Sequence, residues 1–374
     1  MKKHNLNTKA LISIFFGLLI APLFFSCDGI IFHEIRNEVE LADAKLSGDI
    51  QNIVRYNYGG KECIFASTGD IYYRSVDSSV VDKKMEFSDF PTPNEFVYSL
   101  AADTDNLYAL SVKIEKDDDG YNVAKNRTLW YYNTTSSAWE SIWTAAYNKN
   151  TTVILFCTNT PKKETRHAYF RNGTTTDDCV YELNGSEKPG DGLKAMTNDS
   201  TDHTISPTTG VRSCTVLTVL NKSVVYFSSA YAMVSNQTAN DDGGDATYIY
   251  RSDGKSVQYS TDGSSWTSVS LGGDTIYSLA VCQDYLLAGT YSGLIHTKLT
   301  STYVPTSGNQ DFSTNAASTL SSYYEIQSIV VVDPSQIEKS ATIFASSITS
   351  SSSASLNNVG LWSYFLSEGK WNRE

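Results

Sequence analysis

Three short acidic runs hold the side chains whose type and spacing best suit chemistry: Asp117, Asp118 and Asp119; Asp177 and Asp178; and Asp241, Asp242 and Asp245. Clustered carboxylate oxygens suit Ca²⁺. The runs DDDGY and DDGGD lack the alternating ligand order of an EF-hand loop, so the expectation is solvated polar loops with no cofactor and no metal centre. Tyr121 and Tyr231 lie in or beside these loops and offer rings for stacking on sugar or peptide. A carboxylate pair for glycoside hydrolysis needs two acids at a set separation, and nothing in the sequence selects two. The histidines beyond the first residues are His33, His167, His203 and His296, and none falls in an HExxH motif. GxSxG, P-loop and dinucleotide fingerprints are also missing. No catalytic residue is assigned, and a binding protein is expected more than an enzyme.

One thiol has a more specific context. Lys2, Lys3 and Lys9 precede an apolar stretch of 16 residues, 10–25, followed by Ser26 and Cys27. That stretch is short for a spanning helix and normal for the apolar core of an export signal. The segment resembles a bacterial lipoprotein signal. Leu23 stands four residues before Cys27, with Phe24, Phe25 and Ser26 between. The common lipobox has Leu three residues before and then two small residues, and looser boxes like this one resemble those of spirochaetes. The resemblance implies cleavage before Cys27 and acylation (palmitate) of its thiol. The protein would then be held in the bacterial cell envelope, at the inner or outer membrane, facing the periplasm or the surface. Each buried methylene of such an anchor contributes about 0.8 kcal/mol. The implied organisation is a signal peptide at 1–26, a lipidated tether at 27–49 and one large domain at 50–374.

Loss of residues 1–26 removes three lysines and no acid, so the net charge moves from −12 to −15. Nucleic acid requires clustered Lys and Arg, so it is not an expected partner. Five cysteines remain besides Cys27: Cys63, Cys157, Cys179, Cys214 and Cys282. No CxxC spacing occurs, and most sit in apolar runs such as VILFC and SCTVL, as small buried hydrophobes do. An odd number leaves at least one unpaired, with a Cys157–Cys179 bridge open.

Internal repeats indicate the architecture. YSLAADTDNLYALS from Tyr98 matches YSLAVCQDYLLAGT from Tyr277 at the same offsets, and looser copies begin near 53, 152, 213 and 326. Each reads as two strands and a tight polar turn. A second element follows: Tyr132 to Trp139, Tyr259 to Trp266 and Tyr364 to Trp371 share one Tyr-to-Trp spacing. The repeating unit is therefore four short antiparallel strands, a to d. Six copies predict an all-β chain folded as a β-propeller of six four-stranded blades. Residues 36–48 are open between a ring-closing strand, part of a seventh blade, and a short helix in the tether.

STDGSSW, Ser260 to Trp266, resembles the Asp-box (BNR) repeat of bacterial propellers. Carried onto this chain, the resemblance has Ser260 open the turn, Asp262 cap it, Gly263 bend it and Trp266 pack in the core. The copy ending at Trp139 has no Asp or Gly in its turn, and the one ending at Trp371 has Glu368 and Gly369. Such boxes mark fold and not chemistry. A sialidase is not expected, because the few arginines lack that family's arginine context.

With strands so assigned, the long b-to-c connections are 112–127, 171–178, 231–246 and 347–358, and the long d-to-a ones are 185–211 and 301–325. Both kinds emerge on one end of a propeller. The expected function is a membrane-anchored lipoprotein that binds a protein or glycan through this loop-rich face. The candidate residues are Asp117, Asp118, Asp119, Tyr121, Asp177, Asp178, Tyr231, Asp241, Asp242 and Asp245. The alternatives are an envelope assembly scaffold and a polysaccharide hydrolase or lyase.

Overall fold

The computed structural model describes residues 46, 49–50, 52–76, 85–86, 94–157, 166–173, 178–193, 203–205, 213–219, 222–228, 233–235, 249–252, 254–260, 265–272, 274–282, 284–307, 310–311, 324–332, 343–349, 359–365 and 370–373. Every regular element among them is a β-strand. The first sheet runs β1 (Ile53–Tyr58), β2 (Lys61–Ser67), β3 (Ile71–Ser75), β4 (Met85–Glu86). The second runs β5 (Glu95–Ala102), β6 (Leu107–Lys116), β7 (Asn122–Asn133), β8 (Ala138–Ala146). The third holds β9 (Thr152–Cys157), β10 (Ala168–Gly173) and β11 (Asp178–Glu182). In the fourth, β12 (His203–Ile205) lies parallel to β14 (Lys222–Ser228), which pairs antiparallel with β13 (Ser213–Val219). The fifth is β15 (Met233–Ser235), β16 (Ile249–Ser252), β17 (Ser256–Ser260), β18 (Thr267–Ser270). The sixth is β19 (Ile276–Cys282), β20 (Tyr285–Thr290), β21 (Gly293–Lys298), β22 (Gln310–Asp311). The seventh is β23 (Tyr324–Val331), β24 (Ile343–Thr349), β25 (Gly360–Phe365), β26 (Lys370–Arg373).

The first strands of successive sheets are neighbours all the way round: β1, β5, β9, β13, β15, β19, β23 and back to β1. Sheets of three or four strands on such a closed ring form a β-propeller. Inner strands are flanked by a neighbouring sheet on each face, so they are largely buried: β19 is buried at all but one residue. The outer β18 is exposed or half-exposed at every residue. The count differs from the six-unit reading. The unit that begins near 213 does not own the Tyr259 element, because 213–228 and 249–270 lie in different sheets, with β15 opening the second.

The repeated YSL and QSI segments have a geometric cause. In β5, β19 and β23 the register slips at Tyr98, Tyr277 and Gln327, a β-bulge in each. The next residue is Ser each time, and each makes a hydrogen bond to the following first strand. Ser99 Oγ donates to Leu155 O (2.9 Å), and Ser278 Oγ to Ile326 O (3.4 Å). Ser328 Oγ accepts from Ile53 N (3.4 Å), which joins the last sheet to the first. At the first junction Asn52 takes this part, accepting from Leu100 N (2.9 Å) and donating to Leu100 O (2.7 Å). The turns between second and third strands add a bond at two junctions, Val97 N to Gly69 O and Ile276 N to Gly254 O, both 2.8 Å.

The Tyr-to-Trp element also has a physical basis. Tyr132 pairs with Trp139, and Tyr364 with Trp371, ring centroids 5.4 and 5.2 Å apart. Both tryptophans are buried. Trp130 and Trp362 donate from the third strand to Ser111 and Ser347 on the second. Among the described residues no strand is shared across the seam between the last sheet and the first. A cluster fills it instead: Leu46, Ile50, Ile53 and Ile64 against Val330, Phe344 and Leu361. Leu46, expected in the tether or in a closing strand, is thus a wedge in that seam.

Two outcomes follow. A Cβ on Gly289 would sit 2.5 Å from Ile326 O and against Ser278 Oγ, so Gly289→Ala is expected to cost about 1–3 kcal/mol in urea melts. Burial pushes the Cys282 thiol up to about 12, and burial with Asp103 nearby does the same to the Tyr56 phenol. Both groups stay neutral in the fold where the unfolded chain ionises them. Stability is then full below their ordinary values of 9.0 and 10.0 and falls as pH rises toward 12. Melting temperatures measured from pH 8 upward should decline above pH 9.

Candidate binding face

The second sheet alone is drawn out. β6, β7 and β8 have 10, 12 and 9 residues, whereas the fourth strands of the first, fifth, sixth and seventh sheets have 2 or 4. This corrects the expectation of a 112–127 loop. Strand pairing continues to Lys116↔Asn122, and only residues 117–121 turn. β6 and β7 thus form an arm that rises past β5 and β8, whose last partners are Lys113 and Asn126.

The predicted residues Asp117, Asp118, Asp119 and Tyr121 occupy the arm's tip. Asp117 Oδ1 accepts from the backbone N–H of Asp119 (3.1 Å) and of Tyr121 (2.8 Å), the geometry of an Asx turn. Gly120 takes φ +83°, a left-handed conformation that a Cβ would strain. Among the described residues no three His, Cys, Asp or Glu side chains converge as metal ligands. Tyr121 is 71% exposed, a larger fraction than Phe96, Tyr147 or Tyr291. Below the tip, Lys113 Nζ lies 2.6 Å from Glu115 Oε1. Hydrogen bonding between them raises the lysine's pKa and lowers the glutamate's.

The base of the arm is fixed. Arg127 stacks over the Tyr147 ring at 4.5 Å and donates to Thr151 O (2.8 Å) and Asn148 O (3.3 Å). One guanidinium therefore ties β7 to the connection leading into β9. Tyr98, the bulge residue of β5, is half-buried beside this pair, and desolvation raises its phenol. Ser111 accepts from Trp130 and donates to Glu95 Oε2, which anchors the opposite edge. Phe96, half-exposed, packs its ring where Gly69 has no side chain. Phe96, Tyr121 and Tyr147 are thus exposed aromatics on one sheet. Phe96 and Tyr147 were missed in the sequence because they lie outside the acidic runs.

The other candidates are scattered or fall outside the described residues. Asp178 opens β11 opposite Gly173, in a strand and not in the expected loop. Cys27, Asp177, Tyr231, Asp241, Asp242, Asp245, Asp262 and Gly263 lie outside the described residues. Ser260 is buried at the end of β17. Trp266, expected in the core, is only half-buried, with the Arg251 guanidinium 3.9 Å over its ring. Tyr259 pairs with Thr267, so this turn is one residue longer than the other two and leaves Trp266 outside the strand pair. Cys157 and Cys282 are free thiols, so Cys157 is not in a bridge.

No family model and no curated protein sequence matches the chain. Solved structures similar to it include a chain of a mitotic checkpoint complex, 9% identical over 87% of this chain and 91% of that one, TM-score 0.48. Saccharomyces cerevisiae Sqt1 is 11% identical over 88% and 86%, TM-score 0.47. A GH74 enzyme of Niastella koreensis is 15% identical over 89% of this chain and 46% of its own, TM-score 0.43. All are remote, and the functional reading rests on this chain's own residues.

Asp117→Ala is expected to free the amides of Asp119 and Tyr121 for faster hydrogen exchange. The melting temperature should hardly change, because the tip packs on no core cluster.

Proposed function

We propose that this chain is an exported, lipid-anchored recognition protein that binds a protein or glycan partner through the end of the propeller bearing the second-sheet arm. The bacterial-lipoprotein and Asp-box resemblances belong to this reading. Cys27 carries the anchor, and the partner is held by contact alone. One observation carries the binding role: the second sheet extends beyond the others and presents Tyr121, Tyr147 and Phe96 to solvent. Exposed aromatics on a rigid support are the side chains that dominate recognition surfaces, since they bury large areas with few rotamers to freeze. Arg127 holds Tyr147 in place, so part of the ordering cost is met before binding. The expected absence of cofactor and metal is kept in this proposal.

The test is a screen of the chain against arrays of glycans and of extracellular proteins, beside Tyr121→Ala and Tyr147→Ala. Each substitution is expected to weaken a true hit by about tenfold or more, with an unchanged melting temperature. A hit indifferent to both would contradict this placement of the site.

A further inference from the structure

Among the described residues no strand pairs with the outer edge of the second sheet, where Thr144 and Ala146 are exposed. We propose that β8 pairs through this edge with β8 of a second copy of the chain, antiparallel and centred on Ala145. Native sheets commonly blunt an edge by keeping the outer strand very short. Most outer strands here obey that rule, with 2 or 4 residues, whereas β8 has 9. The third sheet has no fourth strand among the described residues, and that of the first sheet has two residues. Among the described residues, neither neighbour therefore supplies an outer strand to flank β8 along its length.

Two features select the segment and the occupant. A bulge at Ile142 interrupts β8. Beyond it the strand is regular from Trp143, through Thr144, Ala145 and Ala146, to Tyr147, and no residue there is charged. Tyr147 N donates to Lys125 O, so Tyr147, Ala145 and Trp143 turn their backbone groups toward β7. By alternation, Thr144 and Ala146 point theirs outward, and both residues are exposed. A twofold axis at Ala145 sets Thr144 against Ala146 of the second copy, and the reverse. Both pairs then exchange backbone hydrogen bonds. The same register sets each Trp143 against a Tyr147 at a close, non-hydrogen-bonded pair, which favours aromatic contact. The segment thus complements itself in backbone parity, charge and side-chain type, as a twofold interface requires. Each copy carries a net charge of −12, so association should tighten as added salt screens repulsion.

The experiment is sedimentation equilibrium of the full chain in detergent, with and without Thr144→Pro and Ala146→Pro together. These prolines remove only outward N–H groups, which an edge strand tolerates. A reversible dimer is expected, weakened about a hundredfold or more by the double substitution. A second variant guards against misfolding. In Ala145→Cys the two introduced thiols face each other on the axis, where Cα atoms come within about 4.5–5.5 Å. A mild oxidant should then yield a crosslinked dimer that the unsubstituted chain does not form. A chain that stays monomeric without crosslinking, or a dimer indifferent to the prolines, overturns the proposal. A monomer whose partner binding is lost with the prolines overturns it too, and assigns the edge to a partner's strand.

Discussion

A serine hydroxyl placed after a β-bulge ties one first strand to the next at three of the seven junctions of this ring. A bulge adds one residue to the first strand and shifts the face on which the next side chain stands. Ser99, Ser278 and Ser328 use that shift to bond the backbone of the following first strand. Backbone groups of an inner strand that face away from its own sheet would otherwise be buried without partners, which costs more than the bond contributes. The apolar clusters between sheets then pack at a separation already set by polar contacts. Gly289 shows how tight that separation is, for its place admits no Cβ.

The seam between last and first sheets is the most demanding junction. Residues 275 apart in sequence meet there through the Ile53 to Ser328 bond. Leu46 and Ile50 supply apolar volume to the seam from just before β1. Arg74 adds its guanidinium 5.5 Å from the Phe344 ring. The chain therefore closes by side-chain packing, with the Ile53 to Ser328 bond helping to set its register.

Much of this architecture was legible in the sequence because inner strands face two neighbours and tolerate little variation. The YSL repeats and the Tyr132 and Tyr364 elements each marked a real contact. Blade count was less legible. β15 and β16 are short and separated by a long connection, so 213–270 read as one unit where there are two sheets. Trp266 misled because a turn motif records residue types and not register: one extra residue moved it out of the strand pair. The arm was hidden in polar residues. Lys113 to Lys116 and Asn122 to Lys125 have the composition of a loop, and their pairing follows from a tight turn that Asp117 and Gly120 make. Arg127 and Tyr147 become partners only once β7 and β8 pair.

The most direct test of a cooperative ring is native-state hydrogen exchange at the Ile53 amide, the donor across the seam. The structure requires its opening free energy to equal that of global unfolding, with the same dependence on denaturant, because the seam parts only when the whole ring does. Exchange through a smaller opening, with a shallower denaturant dependence, would show that the first and last sheets separate on their own and would contradict closure by packing and a bulge-set hydrogen bond.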